Sequence, residues 1–258
     1  MKDFTLPEHD LDKITVKESI RGIEELREAR GIGAYICGGL AVSSYLPASK
    51  RRSTIDLDFT LCWGGTTEEF KELIKPFVSH IESKRWKVGF KRAGKTYDLT
   101  VKAPFDTLLV QHQRRSKKNF EANRASFERE VENSRYVFRG NLAYHVLSPE
   151  DIAVHKASRI LIFQNRFGIE LPEDYRFRHL DSISKQLRQK VIELGKNADS
   201  HDVLQLRTYY DIYDIKALAE HPGLNIAYFN RALRDWEKDF VNHNSVARLL
   251  KDIGITID

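Results

Sequence analysis

Two short stretches of the chain carry residue types that can do chemistry together. The first is Ile36-Cys37-Gly38-Gly39-Leu40-Ala41, and the second, close behind it, is Arg52-Ser53-Thr54-Ile55-Asp56-Leu57-Asp58-Phe59. An apolar run that enters Gly-Gly and continues as a helix leaves backbone N–H groups unsatisfied at the helix N-terminus, and glycine lets a phosphate approach them closely. In Asp56-x-Asp58 on a strand, residues i and i+2 point to one face, so the two carboxylates converge. Converging like charges repel unless a cation lies between them, and Mg²⁺, with Mn²⁺ as its substitute, is the usual oxygen-ligated choice. A third carboxylate, Asp98, lies in the alternating run Tyr97-Asp98-Leu99-Thr100-Val101. If that strand neighbours the first, three acids meet at one edge. Two metals held by Asp56, Asp58 and Asp98 suit an in-line displacement at the α-phosphate of an NTP. Position and charge then supply most of the catalysis.

These residues need elements to hold them. Val16, Ile20, Ile23 and Leu26 recur at helical spacing over Thr15 to Arg30, and Gly31-Ile32-Gly33 ends that helix. A strand over Ala34–Cys37, a helix from Leu40 to Tyr45 and a strand over Ile55–Cys62 follow. Thr66 or Thr67 caps a helix running from Glu68 to about Ser83. Trp86–Phe90 and Tyr97–Ala103 read as a hairpin turned at Ala93-Gly94-Lys95, and Tyr136–Leu147 as another around Gly140-Asn141. Between Arg114 and Arg135 the chain is highly charged and without an apolar stripe, so it is either a solvated helix or a loop. Ser148-Pro149-Glu150-Asp151 is a strong helix start. From there the pattern is helical to the end, with helices expected at 183–195, 201–220 and 224–240. The expected architecture is α+β: a mixed sheet with flanking helices over residues 1–147, then an all-helical domain over 148–258.

Gly38-Gly39, the Arg52-x-Thr54-x-Asp56-x-Asp58 run and Asp98 resemble the nucleotidyltransferase superfamily related to DNA polymerase β. Ser148-Pro149-Glu150-Asp151-Ile152-x-x-x-Lys156-x-x-Arg159 and Arg207-x-x-x-Asp211-Ile212-Tyr213-Asp214-Ile215 look like the later motifs of the AbiEii-type toxins, which include the MenT toxins of mycobacterial toxin–antitoxin systems. The resemblance implies Asp56, Lys156 and Asp211 as essential, with Asp56, Asp58 and Asp98 as metal ligands. It also implies that Gly38, Gly39, Ser43, Arg52, Thr54, Lys156 and Arg159 surround the nucleotide. Lys156 would meet the triphosphate as a point charge, and Asp211 would orient Lys156 or serve as a base, orientation being preferred. The superfamily often has Gly-Ser where this chain has Gly38-Gly39, which leaves a hydroxyl to be supplied by Ser43 or Ser44. Tyr210 stands where a basic residue commonly precedes Asp211, and the long interval between Lys156 and Asp211 points to an insertion around 167–201.

Composition narrows the function classes. The 258 residues include 42 Lys and Arg against 37 Asp and Glu, a net charge of +5 that permits an anionic partner. No apolar run approaches the roughly 20 residues of a membrane span, and Met1-Lys2-Asp3-Phe4 opens no apolar signal region, so a cytoplasmic protein with no membrane partner is expected. Cys37 and Cys62 sit in apolar runs, and His145, His155 and His201 lack metal-ligand spacing. Arg114-Arg115-x-Lys117-Lys118 and the lysines and arginines between 84 and 95 could face RNA. The reading is transfer of an NMP from an NTP to an acceptor hydroxyl with release of pyrophosphate. RNA such as tRNA is the expected acceptor, with a cognate antitoxin as partner. The alternatives are an aminoglycoside-type small-molecule nucleotidyltransferase and a retired nucleotide-binding module.

Overall fold

A computed structural model describes residues 10–51, 54, 56–171, 200–235 and 243–255. They fall into two compact units that divide between Ser148 and Pro149. The first is built on a seven-stranded mixed sheet, with β1 Ala34–Cys37, β2 Asp56–Leu61, β3 Lys87–Ala93, β4 Thr96–Lys102, β5 Thr107–Gln113, β6 Arg135–Arg139 and β7 Leu142–Val146. Their order across the sheet is β3-β4-β5-β2-β1-β7-β6. The β1–β7 and β2–β5 pairs are parallel and the others antiparallel.

Strand phase sorts the two faces. Leu57, Phe59, Val110, His112, Tyr97 and Leu99 are buried, while Asp56, Asp58, Gln111, Asp98 and Thr100 between them remain partly exposed. Helix α1 (Ile14–Arg30) buries Val16, Ile20, Ile23 and Leu26 and packs on β1, on β7 and on the helix Lys75–Ser83. Helix α2 (Gly38–Tyr45) lies on β1 and β2. The expected single helix of 68–83 is two, α3 (Thr67–Leu73) and α4 (Lys75–Ser83), joined at Ile74. Pro76, early in α4, lacks the N–H that a continuous helix would use, and its ring disfavours helical backbone before it. Thr66 caps α3 in a capping box with Glu69.

Phe70 of α3 closes the buried face over β4 and β5. Its ring stacks on Tyr97 at 4.1 Å and on His112 at 5.2 Å. Burial, with help from the charge of Arg115, pushes the His112 imidazole down to about 3, so it packs as a neutral aromatic. The charged stretch after Arg114 forms α5 (Lys117–Ala122) and α6 (Arg124–Asn133). Its apolar stripe is short because α6 buries Glu130 instead, which accepts a hydrogen bond from the buried Tyr35 hydroxyl of β1.

The described part of the second unit is helical: α7 Pro149–Phe167, α8 His201–Ala219, α9 Ile226–Asp235 and α10 His243–Asp252. α7 is the hub, packing against all three others. Its Ala153, Val154, Ala157 and Ile160 share a core with Ile212, Ile215, Phe229, Leu233, Leu249 and Leu250. The start of α7 is fastened by Asp151, which accepts from the Tyr228 hydroxyl at 2.5 Å, and by Glu150, which accepts from the Asn225 N–H at 2.5 Å. The helix expected at 183–195 lies outside the described residues. No described helix is long and apolar enough to cross a membrane.

Replacing Phe70 with Ala empties the centre of the aromatic stack. Urea unfolding is expected to show a loss of about 3–5 kcal/mol.

Candidate functional site

The site begins at the junction of β1 and α2. Cys37 has extended backbone and Gly38 turns to φ +68°. A side chain at Gly38 is doubly excluded, because its Cβ would lie 2.1 Å from Asp58 Oδ2 as well as needing left-handed backbone. The reason is register: antiparallel pairing sets Cys37 opposite Asp58, so the glycine turn folds directly against the acidic strand. α2 starts at Gly38 with no side-chain cap. Cys37, the residue before the helix, offers its first N–H groups no side-chain acceptor, and the turn lies against Asp58.

Asp56 and Asp58 share the partly exposed face of β2. The hydroxyl of buried Thr54 donates to Asp56 Oδ1 at 2.9 Å, which fixes that carboxylate and leaves its second oxygen for another partner. Arg52 lies outside the described residues. Cys37, between Gly38 and Asp58, is pushed up to about 12 by withdrawal from water and then by the Asp58 charge. It stays a thiol at neutral pH. Gly39 occupies the first turn of α2, whereas Ser43 is buried in its second. The neighbouring Ser44 bonds back to the Leu40 carbonyl and meets the Tyr144 hydroxyl at 2.9 Å.

Asp98 is on the same face and the same rung as Asp58, but β5 runs between them. The rung reads Cys37, Asp58, Gln111, Asp98, Lys91 across β1, β2, β5, β4 and β3. Two strand spacings put the Asp58 and Asp98 main chains about 10 Å apart. Asp98 Oδ1 accepts from Thr96 at 2.8 Å and from the Gln111 amide at 2.9 Å. Among the described residues no three carboxylate, imidazole or thiol groups gather as a metal-binding set. Gln111 carries no signal in the sequence, because Leu108-Leu109-Val110 hides the alternation of β5.

The second unit carries its own cluster. Lys156 of α7, 5% exposed, donates to Asp211 at 2.9 Å and pairs with Asp214 at 2.8 Å, both on α8. Arg159, one turn along, reaches the same Asp211 with Nε at 2.7 Å and Nη2 at 2.6 Å. Burial opposes ionisation of Asp211. The charges and hydrogen bonds of Arg159 and Lys156 outweigh it and hold the carboxyl well below the usual carboxylate range. Asp211 thus bonds both basic side chains of α7.

No family model matches the chain, and no curated protein does either. Among solved structures it is similar to an antigenic nucleotidyltransferase-like protein from Paracoccidioides brasiliensis, with 13% identity, 95% of each chain covered and a TM-score of 0.45. It is also similar to the antibiotic-resistance factor ANT(2'')-Ia, with 17% identity over 74% of this chain and 91% of that one, at a TM-score of 0.33. Likenesses this distant leave function to the geometry of the site itself.

Two expectations follow. Gly38→Ala forces left-handed backbone onto a Cβ-bearing residue and crowds Asp58, so it should cost at least about 1–2 kcal/mol in denaturant unfolding. Asp211→Ala leaves Lys156 short of one partner and Arg159 without this one, at a cost of about 3–5 kcal/mol. Because the folded carboxyl of Asp211 is the depressed one, its stabilisation is full above the ordinary carboxylate range and fades as pH falls through its folded value. The acid limb of a stability–pH curve below about pH 4 should therefore flatten in Asp211→Asn.

Proposed function

We propose that the protein is a metal-dependent nucleotidyltransferase that moves an NMP from an NTP to an acceptor hydroxyl and releases pyrophosphate. The observation that carries this reading is the contact of Gly38 with Asp58. It sets the glycine-led start of a helix, suited to phosphate, against a carboxylate pair suited to a divalent cation. A metal-bound nucleotide triphosphate needs both together.

Asp56 and Asp58 fit Mg²⁺, or Mn²⁺, as a two-carboxylate set that the phosphates of the substrate and water would complete. When bound, the ion supplies charge neutralisation at the phosphates. In this reading Thr54 holds Asp56 in place, the Gly38-Gly39 turn binds phosphate oxygens through main-chain N–H groups, and Gln111 ties Asp98 to the same rung. Lys156 and Arg159 are the basic residues proposed to serve the triphosphate, with Asp211 setting their orientation.

The acceptor we propose is RNA, with tRNA as the first candidate. Supporting it, Lys91 shares the rung of Asp98, and Lys87 and Lys102 face each other four pairs of residues beyond, all three exposed. A cationic drug would meet repulsion there, which disfavours an aminoglycoside-type acceptor. The resemblance to AbiEii-type toxins supplies the setting, a toxin neutralised by a cognate antitoxin.

The test is incubation with each labelled NTP, total tRNA and Mg²⁺. Label is expected on RNA, abolished by EDTA and reduced about a hundredfold or more in Asp56→Asn, as expected for losing several kcal/mol of charge stabilisation. Label on protein or on a small molecule would change the acceptor. Equal activity in Asp56→Asn would overturn the reading.

A further inference from the structure

Away from the acids, the sheet unit has a cavity whose lining is cationic and includes no carboxylate. Its volume is about 290 Å³, and it lies where the carboxyl ends of β2 and β5 meet the β3–β4 turn, with Gly65, Lys95, Gln113, Arg114, Arg115 and Ser116 among its lining residues. Main-chain bonds fix its walls. The Gly65 N–H donates to the Arg115 carbonyl at 3.0 Å, and the Arg114 N–H to the Lys95 carbonyl at 2.8 Å. Arg114 Nη1 also donates to the Gly94 carbonyl at 2.5 Å.

The two arginines are held with part of their bonding capacity unused, Arg115 Nη2 donating to Gln113 Oε1 at 3.4 Å. Arg115 is only 8% exposed and lies over the Phe127 ring at 4.4 Å, and Arg114 lies over Tyr97 at 5.5 Å. Stacking covers one face of a guanidinium and leaves its in-plane N–H groups to bond elsewhere. Arg115 Nη1 and Arg114 Nε are both buried, and neither has a hydrogen-bond partner among the described residues. Buried N–H groups on a cation call for an acceptor, and the guanidinium fork matches the oxygens of a phosphate.

We propose that this cavity is a phosphate-binding subsite, recognising a nucleotide's terminal phosphate or a phosphodiester of a nucleic-acid backbone. Gln113 stands two residues beyond Gln111 on the same strand face, about 7 Å further along β5 from the rung of Asp58 and Asp98. The subsite is therefore distinct from the Gly38 turn. Under the transferase reading it grips a phosphate of the acceptor, but phosphate binding there needs no transfer and is measured without turnover.

The experiment is calorimetric titration of the full chain in EDTA, so that no divalent cation recruits phosphate to the acids. The probes are inorganic phosphate, 5′-AMP and a short oligoribonucleotide without terminal phosphates. One-site binding of at least one probe is expected, weakened tenfold or more by Arg115→Gln and unchanged by Asp56→Asn. Binding of phosphate and AMP alone assigns the terminal phosphate as the source, and binding of the oligonucleotide alone assigns the backbone. Should Arg115→Gln fail to fold, Lys95→Ala, at an exposed position, gives the same reading. No binding of any probe, or less than a tenfold change in the folded variant, overturns the proposal.

Discussion

The pairing register of β1 with β2 is the constraint from which the candidate site follows. A strand has a side-chain period of two, so a slip by one residue would turn Asp56 and Asp58 onto the apolar face and lift Phe59 out of it. The register that buries Phe59 and Leu57 is the one that lays Gly38 on Asp58. Hydrophobic burial on one face of the sheet thus sets the chemistry on the other. A glycine is required at that point because two strands converge on a space that holds a carboxylate oxygen and nothing more.

Much of this was readable in the chain. The Asp-x-Asp alternation, the Gly-Gly after an apolar run and the Ser-Pro-Glu-Asp helix start each express a local rule, and each falls on the expected element. β5 escaped because Leu108-Leu109-Val110 breaks the alternation: Leu109 points to the partly exposed face, where a polar residue would have marked the strand. The condition on which three acids would meet at one edge, β4 lying next to β2, is not how the sheet is ordered, because β5 lies between them. Non-local strand order has no local signature, so the place of Asp98 could not be read from its own surroundings. The break at Ile74 did have a signature in Pro76, but the apolar stripe of Phe70, Leu73, Ile74 and Phe77 overrode it.

The two units illustrate opposite ways of keeping charge inside a protein. In the helical unit, Lys156, Arg159, Asp211 and Asp214 answer one another, and the hub helix α7 is tied to α8 through charge as well as through its apolar stripe. In the sheet unit, Arg115 is buried against an aromatic ring with its bonding capacity only partly used. A matched cluster of the first kind resists movement because removing one member strands the others. A cation of the second kind, with an N–H left over, is what the proposed phosphate subsite would use.

The thiol of Cys37 has a consequence for which ligands this corner of the protein accepts. Beside two carboxylates, a thiolate would compete for soft cations such as Zn²⁺ and would be open to oxidation. Burial and the neighbouring Asp58 keep the sulfur protonated instead. What remains beside the two carboxylates is a protonated sulfur, so a cation held there as proposed would meet hard oxygen donors and no thiolate.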